Sequence, residues 1–375
     1  MHTRVCDEMG IEFPIFAFSH CRDVVAAVSR AGGVGVLGAL YFTPDELEIE
    51  LDWIDEHVDG KPYGIDLVMP ATLLDAARGA DADAGDLEAD LEQMIPAGHR
   101  DFVEKVLADH GVPPLPDDAE RTHHLLGWTD TTGRAQLDVA LEHPAKLLVN
   151  ALGPPPADVV DKAHDHGMKV AALASAARHA LKHEANGVDY IVAQGTEAGG
   201  HTGEISSMVL WPEVIDAVGP DTAVLAAGGI GRGSQVAAAL AMGAQGVWTG
   251  SLWLTVAEAD TRPMALEKML AAGSADTVRS RVLTGKPARQ LRTDWTEAFE
   301  AEDSPGYLPM PLQFMLVSDA MSRIERAQNQ ELSGFPVGQI VGTMNQVRST
   351  RDVMFDLVSE CADATERLRG AMAID

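Results

Sequence analysis

A chain of 375 residues is long enough for one large domain of roughly 250 residues that carries a sizeable insertion or appended segment. Its 28 Lys and Arg stand against 57 Asp and Glu, a formal net charge of -29, which repels phosphate backbones and anionic lipid surfaces and argues against nucleic acid as a partner. No uninterrupted apolar stretch reaches the roughly 18 residues of a membrane span and Met1–Gly10 has no apolar signal core, so a cytoplasmic protein without a membrane partner is expected.

Along the chain, short β-branched runs alternate with helix-period segments, the pattern of a parallel sheet covered by helices. Phe13–Phe18 is the first run. Behind it, Val24, Val25 and Val28 share one face of a helix over Cys21–Ala31, which Gly32-Gly33 stops before the second run, Val34–Gly38. Thr43-Pro44-Asp45-Glu46 opens another helix with an N-cap, a proline at the first helical position and acids in the first turn. Gly64–Val68 is the third run.

The interval 71–143 breaks this rhythm and reads as inserted helices, with Leu87, Leu91 and Met94, then Phe102, Val106 and Leu107, at helical spacing. Placed after a third strand, it suits a lid over the site, a helical decoration or a contact in a homo-oligomer. Its acidic stretch Asp81–Asp86 reads as a solvated face. The remaining runs are Lys146–Ala151, Lys169–Ala174, Tyr190–Gln194, Ala223–Ala227 and Gly246–Thr249. Eight runs are the number that closes a (β/α)8 TIM barrel. Residues 1–70 and 144–260 are therefore expected to form the barrel, and 261–375, helical at Leu312–Gln328 and Val353–Met372, a C-terminal extension packed on it.

Ala226-Ala227-Gly228-Gly229-Ile230-Gly231-Arg232-Gly233 follows the seventh run and precedes a helix, where bare glycine backbone and a helix N-terminus suit an anion. Trp248-Thr249-Gly250-Ser251 ends the eighth run with another glycine and a hydroxyl. Turns after strands seven and eight are the usual phosphate place of this barrel, so Gly228, Gly229, Gly250 and Ser251 are read as phosphate neighbours; the plainer alternative is that the glycines only close tight turns. A dinucleotide fingerprint fails in detail, because Ser234 stands where the third glycine belongs and no acid follows about 20 residues on.

Gln194-Gly195-Thr196-Glu197-Ala198-Gly199-Gly200-His201-Thr202-Gly203 follows the sixth run. Its glycines leave room for a flat ligand, and the Gln194 amide at the strand end suits a flavin ring edge. His201 is the one histidine of the chain in such a loop, where a neutral imidazole suits removal of a proton from a weak carbon acid. His123 and His124 in the insertion read as structural. Cys6, Cys21 and Cys361 are far apart, with no CxxC pair, so reduced thiols and no metal are expected.

QGTEAGGHTG, AAGGIGRG and TGS together resemble the signature of the nitronate monooxygenase (2-nitropropane dioxygenase) family. Ile11–Ile15 with Ala31–Gly35, Thr284-Gly285-Lys286-Pro287-Ala288-Arg289 and Gly338-Gln339 are similar to further family segments, so the resemblance covers most of the chain outside the insertion. It implies FMN at the barrel mouth, oxidation of alkyl nitronates (nitroalkanes) with molecular oxygen, and His201 over the flavin as base or substrate-orienting group. By the same matching Gln194, Gly199, Gly229 and Trp248–Ser251 touch FMN, with Gly200 and Gly228 beside them. Three places depart from the family. Ala17-Phe18-Ser19-His20 stands where Ala-Pro-Met lies against the flavin, Asp66 replaces an asparagine near the ring, and the Gly229–Arg232 loop is shorter. A carboxylate at Asp66 disfavours a reduced anionic flavin unless it is protonated or paired. The same superfamily offers an alternative, an NAD(P)H-dependent FMN reductase acting on quinones or enoyl thioesters, and a third reading is a flavin-binding scaffold without turnover. IMP-dehydrogenase-like chemistry lacks the cysteine it needs near strand six.

Overall fold

The computed structural model describes residues 1–69, 91–116 and 130–372; the expected helical position Leu87, the Asp81–Asp86 stretch and the histidines His123 and His124 lie outside them. Eight parallel strands form a closed barrel: β1 (Ile15–Ser19), β2 (Val34–Gly38), β3 (Tyr63–Leu67), β4 (Leu147–Asn150), β5 (Lys169–Ala174), β6 (Tyr190–Gln194), β8 (Ala223–Ala227) and β9 (Gly246–Thr249). Closure is made by β9 against β1, with Ile15 opposite Val247 and Ala17 opposite Thr249. Each strand coincides with one of the eight runs expected from sequence, offset by a residue or two at some ends.

Strand alternation separates two apolar layers. Phe16, Val36, Val149, Val192, Leu225 and Trp248 fill the barrel interior, while their neighbours Ala17, Leu37, Leu148, Ala193, Ala226 and Val247 face the surrounding helices. Helix α1 (Arg4–Met9) closes the bottom, placing Val5, Cys6 and Met9 in the interior layer. The Tyr190 hydroxyl donates to Glu8 Oε2 at 2.8 Å, which ties β6 to that plug. With the N-terminal end of the interior filled, the C-terminal strand ends are the expected place of an active site in this fold.

The outer ring consists of α2 (Arg22–Arg30), α3 (Pro44–His57), α5 (Asp130–Leu141), α6 (Ala157–Asp165), α7 (Ala177–Ala185), α8 (Ser207–Ala217), α9 (Gly233–Ala241) and α13 (Thr350–Met372). The opening of α3 follows the sequence: Thr43 Oγ1 accepts from Glu46 N at 3.3 Å and Glu46 Oε2 accepts from Thr43 N at 2.8 Å. Two ring members come from segments that the sequence pattern assigned elsewhere. α5, inside the expected insertion, packs on β3 and α3 as the third ring helix. α13, at the end of the expected extension, lies between α9 and α2 as the eighth. The chain between β9 and α13 is thus a large excursion from the barrel rather than a simple tail.

That excursion carries α10 (Pro263–Ala271), α11 (Asp294–Glu300), α12 (Leu312–Arg326) and two strands, β10 (Thr277–Ser280) and β11 (Ala288–Leu291). α4 (Ala97–Asp109), from the segment after β3, packs against it. Val103 and Leu107 of α4 join Trp295, Phe299, Leu316 and Ile324 in one apolar cluster. Arg323, buried, seals the joint, donating to Pro113 O at 3.0 Å and to Glu104 Oε1 at 2.6 Å. The same cluster contains Val282, two residues before the Thr284 that meets His201 at the barrel mouth.

The α9 and α13 backbones touch at Gly233, where an added Cβ would lie 2.2 Å from Leu357 O and 2.5 Å from Cys361 N. Gly233→Ala is expected to force the helices apart and to destabilise the protein by about 1–3 kcal/mol, typical of overpacking. Urea denaturation of both proteins checks this, and an unchanged midpoint would contradict the role of α13 as a ring helix.

Candidate active site

The mouth is built from strand-end loops. After β8, Gly228 and Gly229 have φ of 96° and 72°, the left-handed region that suits glycine. A Cβ on Gly228 would meet Ser207 Oγ at 2.8 Å and Gly195 N at 2.9 Å, so the turn packs directly on the loop after β6. The following backbone is held by Gln235, whose Oε1 accepts from Gly231 N at 2.9 Å and Arg232 N at 3.1 Å and whose Nε2 donates to Gly229 O at 2.6 Å. These contacts commit the Gly231 and Arg232 N–H groups within the loop itself.

Glu197 organises the loop after β6. Its carboxylate accepts from Ser207 N at 3.0 Å and from the Ser207 hydroxyl at 2.8 Å, while its carbonyl accepts from Gln339 N at 2.9 Å. The Gly338 N–H donates to Ser251 Oγ at 2.8 Å. Gly199 lies so close to this segment that a Cβ would meet Gly338 N and Val337 Cα at 2.8 Å. The strip Val337–Gln339 therefore stitches the loops after β6 and β9 together, which explains a Gly338-Gln339 motif that sequence reasoning noted without a role. Beside Gly200 and Gly250, by contrast, an added Cβ would meet nothing within 4 Å. Both glycines border open space.

His201 is positioned by an element that the sequence pattern did not indicate. Gly200–His201 is a strand, β7, pairing antiparallel with β11, which pairs in turn with β10. Gly200 supplies the positive φ of 72° that starts it. The His201 Nε2 lies 2.7 Å from the Thr284 hydroxyl, whose oxygen accepts from Lys286 N at 3.3 Å. Burial, and after it the Lys286 charge, lowers the imidazole pKa to about 4, so the ring is neutral at pH 7. Thr284, Lys286 and the buried Arg289, which donates from Nε to Thr196 O at 2.9 Å, are site neighbours supplied by the excursion.

The other expected positions separate by strand parity. Asp66 and Gln194 alternate with outward Ile65 and Ala193, so both face the barrel interior at their last rungs. Phe18 stacks on Trp248 with ring centroids 6.3 Å apart, and Trp248 stacks on Phe16 at 6.4 Å, forming an aromatic floor. Ala17 instead points into the outer layer. Thr249 is likewise turned away, its hydroxyl bonding Phe16 O at 2.8 Å and Trp253 Nε1 at 2.9 Å, so these two residues offer the mouth only backbone. Ser19 Oγ accepts from Cys21 N at 3.1 Å and shapes the turn after β1.

Asp66 tests whether these residues suit a polar ring. It is 4% exposed and its Oδ1 has no hydrogen-bond partner among the described residues. Burial pushes its carboxyl up to about 8, so it is mostly protonated at neutral pH and offers a donor instead of a charge. A buried carboxyl seeking a partner, an aromatic floor and open glycine backbone fit a flat heteroaromatic group with a phosphate tail.

A family model described as "Nitronate monooxygenase" matches residues 3–360. The chain belongs to the nitronate monooxygenase family. It is 54% identical over 379 residues to Rv1533 of Mycobacterium tuberculosis, provisionally named a monooxygenase, with 99% of each chain covered. Among solved structures it is similar to the nitroalkane oxidase of Streptomyces ansochromogenes, at TM-score 0.78 and 26% identity over 97% of this chain and 99% of that one. It is also similar to FabK from Thermotoga maritima, at TM-score 0.73 and 25% identity over 99% of both chains. As a family member the chain is an oxidoreductase enzyme of a flavin-using group. Among the described residues no helix is long and apolar enough to cross a membrane.

A carboxyl raised from 3.8 to about 8 favours the folded state at low pH, where both states are neutral, and that stability is lost as pH rises through about 8. Flavin-free protein should therefore lose stability between pH 5 and 9 by an amount on the order of a few kcal/mol that Asp66→Asn does not lose. Denaturant unfolding at both pH values measures it; parallel losses in the two proteins would mean that Asp66 is not a neutral acid.

Proposed function

We propose that this chain binds FMN at the C-terminal mouth of the barrel and oxidises alkyl nitronates with molecular oxygen. The carrying observation is His201: a half-buried, neutral imidazole held on its own small sheet at the rim where the Gly228-Gly229 and Gly250-Ser251 turns also lie. In this reading those two turns take the phosphate through backbone N–H groups and the Ser251 hydroxyl. Gly200 lets the backbone approach the ring while Gly199 seats the loop on Val337 and Gly338, Asp66 and Gln194 hydrogen-bond the ring's polar edge, and the Ala17–Ser19 and Trp248–Thr249 strand ends border it. The bound flavin supplies the electron acceptor.

The chain's own groups then set substrate preference. An alkyl nitronate is an anion, and a neutral Asp66 presents a hydrogen-bond donor to the mouth in place of a repelling carboxylate. Lys286, two residues from the Thr284 that touches His201, adds positive potential, although burial lowers its own pKa. His201, with a pKa lowered to about 4, remains a hydrogen-bonding partner for a nitro group throughout the neutral range. It is only a weak base toward a neutral nitroalkane, so the preformed nitronate is the better substrate. The helical unit of α4, α11 and α12 is joined to this rim through Val282.

His201→Asn should retain FMN and lose most of the already slow turnover of a neutral nitroalkane, which must be deprotonated, by up to about 10²-fold, the low end for a positioned base, and much less with a preformed nitronate. Turnover of the nitronate by the wild-type chain should show no histidine inflection between pH 6 and 8, because a base with pKa about 4 is already neutral there. Oxygen uptake on both substrates across pH reads all of this. An inflection near 6.5 that disappears in His201→Asn would contradict the neutral imidazole. Rapid anaerobic reduction by NADH or NADPH without oxygen uptake on nitronate would assign the site to a reductase of quinones or enoyl thioesters, and inertness to both would make it a scaffold.

A further inference from the structure

At the end of the barrel opposite the mouth, His143 stands in the turn between α5 and β4, its side chain only 5% exposed. Its Nδ1 lies 2.8 Å from Asp55 Oδ2, and the other Asp55 oxygen accepts the Tyr63 hydroxyl at 2.6 Å. Burial, then this contact with Asp55, raises the Tyr63 pKa and keeps the phenol a donor. Asp55 is thus fixed by β3 and aligns the imidazole from behind. The opposite nitrogen, Nε2, is buried and makes no hydrogen bond among the described residues. It faces Glu48 Oε2 at 3.5 Å. Glu48 and Asp52, one turn apart on α3, together with His143 bring one ligand atom each to within 4.8 Å of one another.

We propose that Glu48, Asp52 and His143 bind one divalent transition-metal ion of the zinc class, with Asp55 as the outer partner that orients His143. A carboxylate behind an imidazole whose other nitrogen meets further carboxylates is the usual arrangement of a metal-binding histidine. The spacing agrees: metal bonds of about 2.1 Å at a tetrahedral angle put two ligand atoms roughly 3.4 Å apart, close to the 3.5 Å between Nε2 and Glu48 Oε2. Imidazole plus carboxylates favours zinc over magnesium, which prefers oxygen alone. The partly exposed Glu48 leaves a further coordination position to water. Such an ion would clamp α3 to the corner before β4, at the end of a barrel that serves stability rather than catalysis. The second acidic group with a histidine, His110, Asp294 and Glu331, has its imidazole Nδ1 on Val106 O and no comparable orienting carboxylate.

The test is calorimetric titration of chelator-stripped protein with ZnCl2, with MgCl2 as the comparison ion and thermal unfolding as a second readout. One saturable zinc site is expected, with a rise in unfolding temperature and no matching magnesium site. Asp55→Asn should weaken zinc by about 10–100-fold. Glu48→Gln, a change on a half-exposed side chain, and His143→Gln should each remove the site and the thermal shift, leaving nitronate turnover unchanged. Zinc binding of equal strength in the wild type, Glu48→Gln and His143→Gln would overturn the proposal. So would a site lost only in His110→Gln, or no saturable binding at all.

Discussion

Everything at the mouth depends on closure of the barrel. Eight parallel strands can pair all their backbone groups only if the last returns to the first, and the registry of β9 on β1, with Ala17 opposite Thr249, makes that return. Closure brings all C-terminal strand ends to one rim, and α1 fills the other end with Val5, Cys6 and Met9. It also fixes which side chains face inward. Asp66, Gln194, Phe18 and Trp248 reach the mouth because strand parity directs them there, and Ala17 and Thr249 are turned away by the same rule.

On that rim the chain sets two titratable groups far from their ordinary behaviour, both chiefly by burial. His201 loses its affinity for a proton and Asp66 keeps one. Both groups are thus mostly uncharged at neutral pH inside a molecule of formal net charge -29. The proposed anionic substrate and phosphate-bearing cofactor would be favoured by that neutrality, and Lys286 and Arg289 on the excursion place cations nearby.

The local part of this arrangement was legible in the sequence. Strand runs, the Thr43-Pro44 helix start and the paired glycine turns are patterns of a few neighbouring residues, and the structure places each where the pattern puts it. What the sequence did not disclose is non-local. The β7 strand is two residues long and exists because β11, far along the chain, pairs with it. α13 reads as a terminal helix, yet its ring position is set by contact with Gly233 of α9. α4 and α12 share a core although one precedes β4 and the other follows β9. His143 shows no metal spacing in sequence because Glu48 and Asp52 meet it only through packing of α3 on α5. Asp66 stands out as a departure from its family, but that its carboxyl is neutral follows from burial alone.

The central claim is that the two glycine turns and His201 form one flavin site. A crystal structure of the protein with FMN bound tests it most directly. The account predicts the phosphate between Gly228-Gly229 and Gly250-Ser251, with the ring against Asp66, Gln194 and His201. A phosphate bound elsewhere, or a ring out of reach of His201, would contradict it.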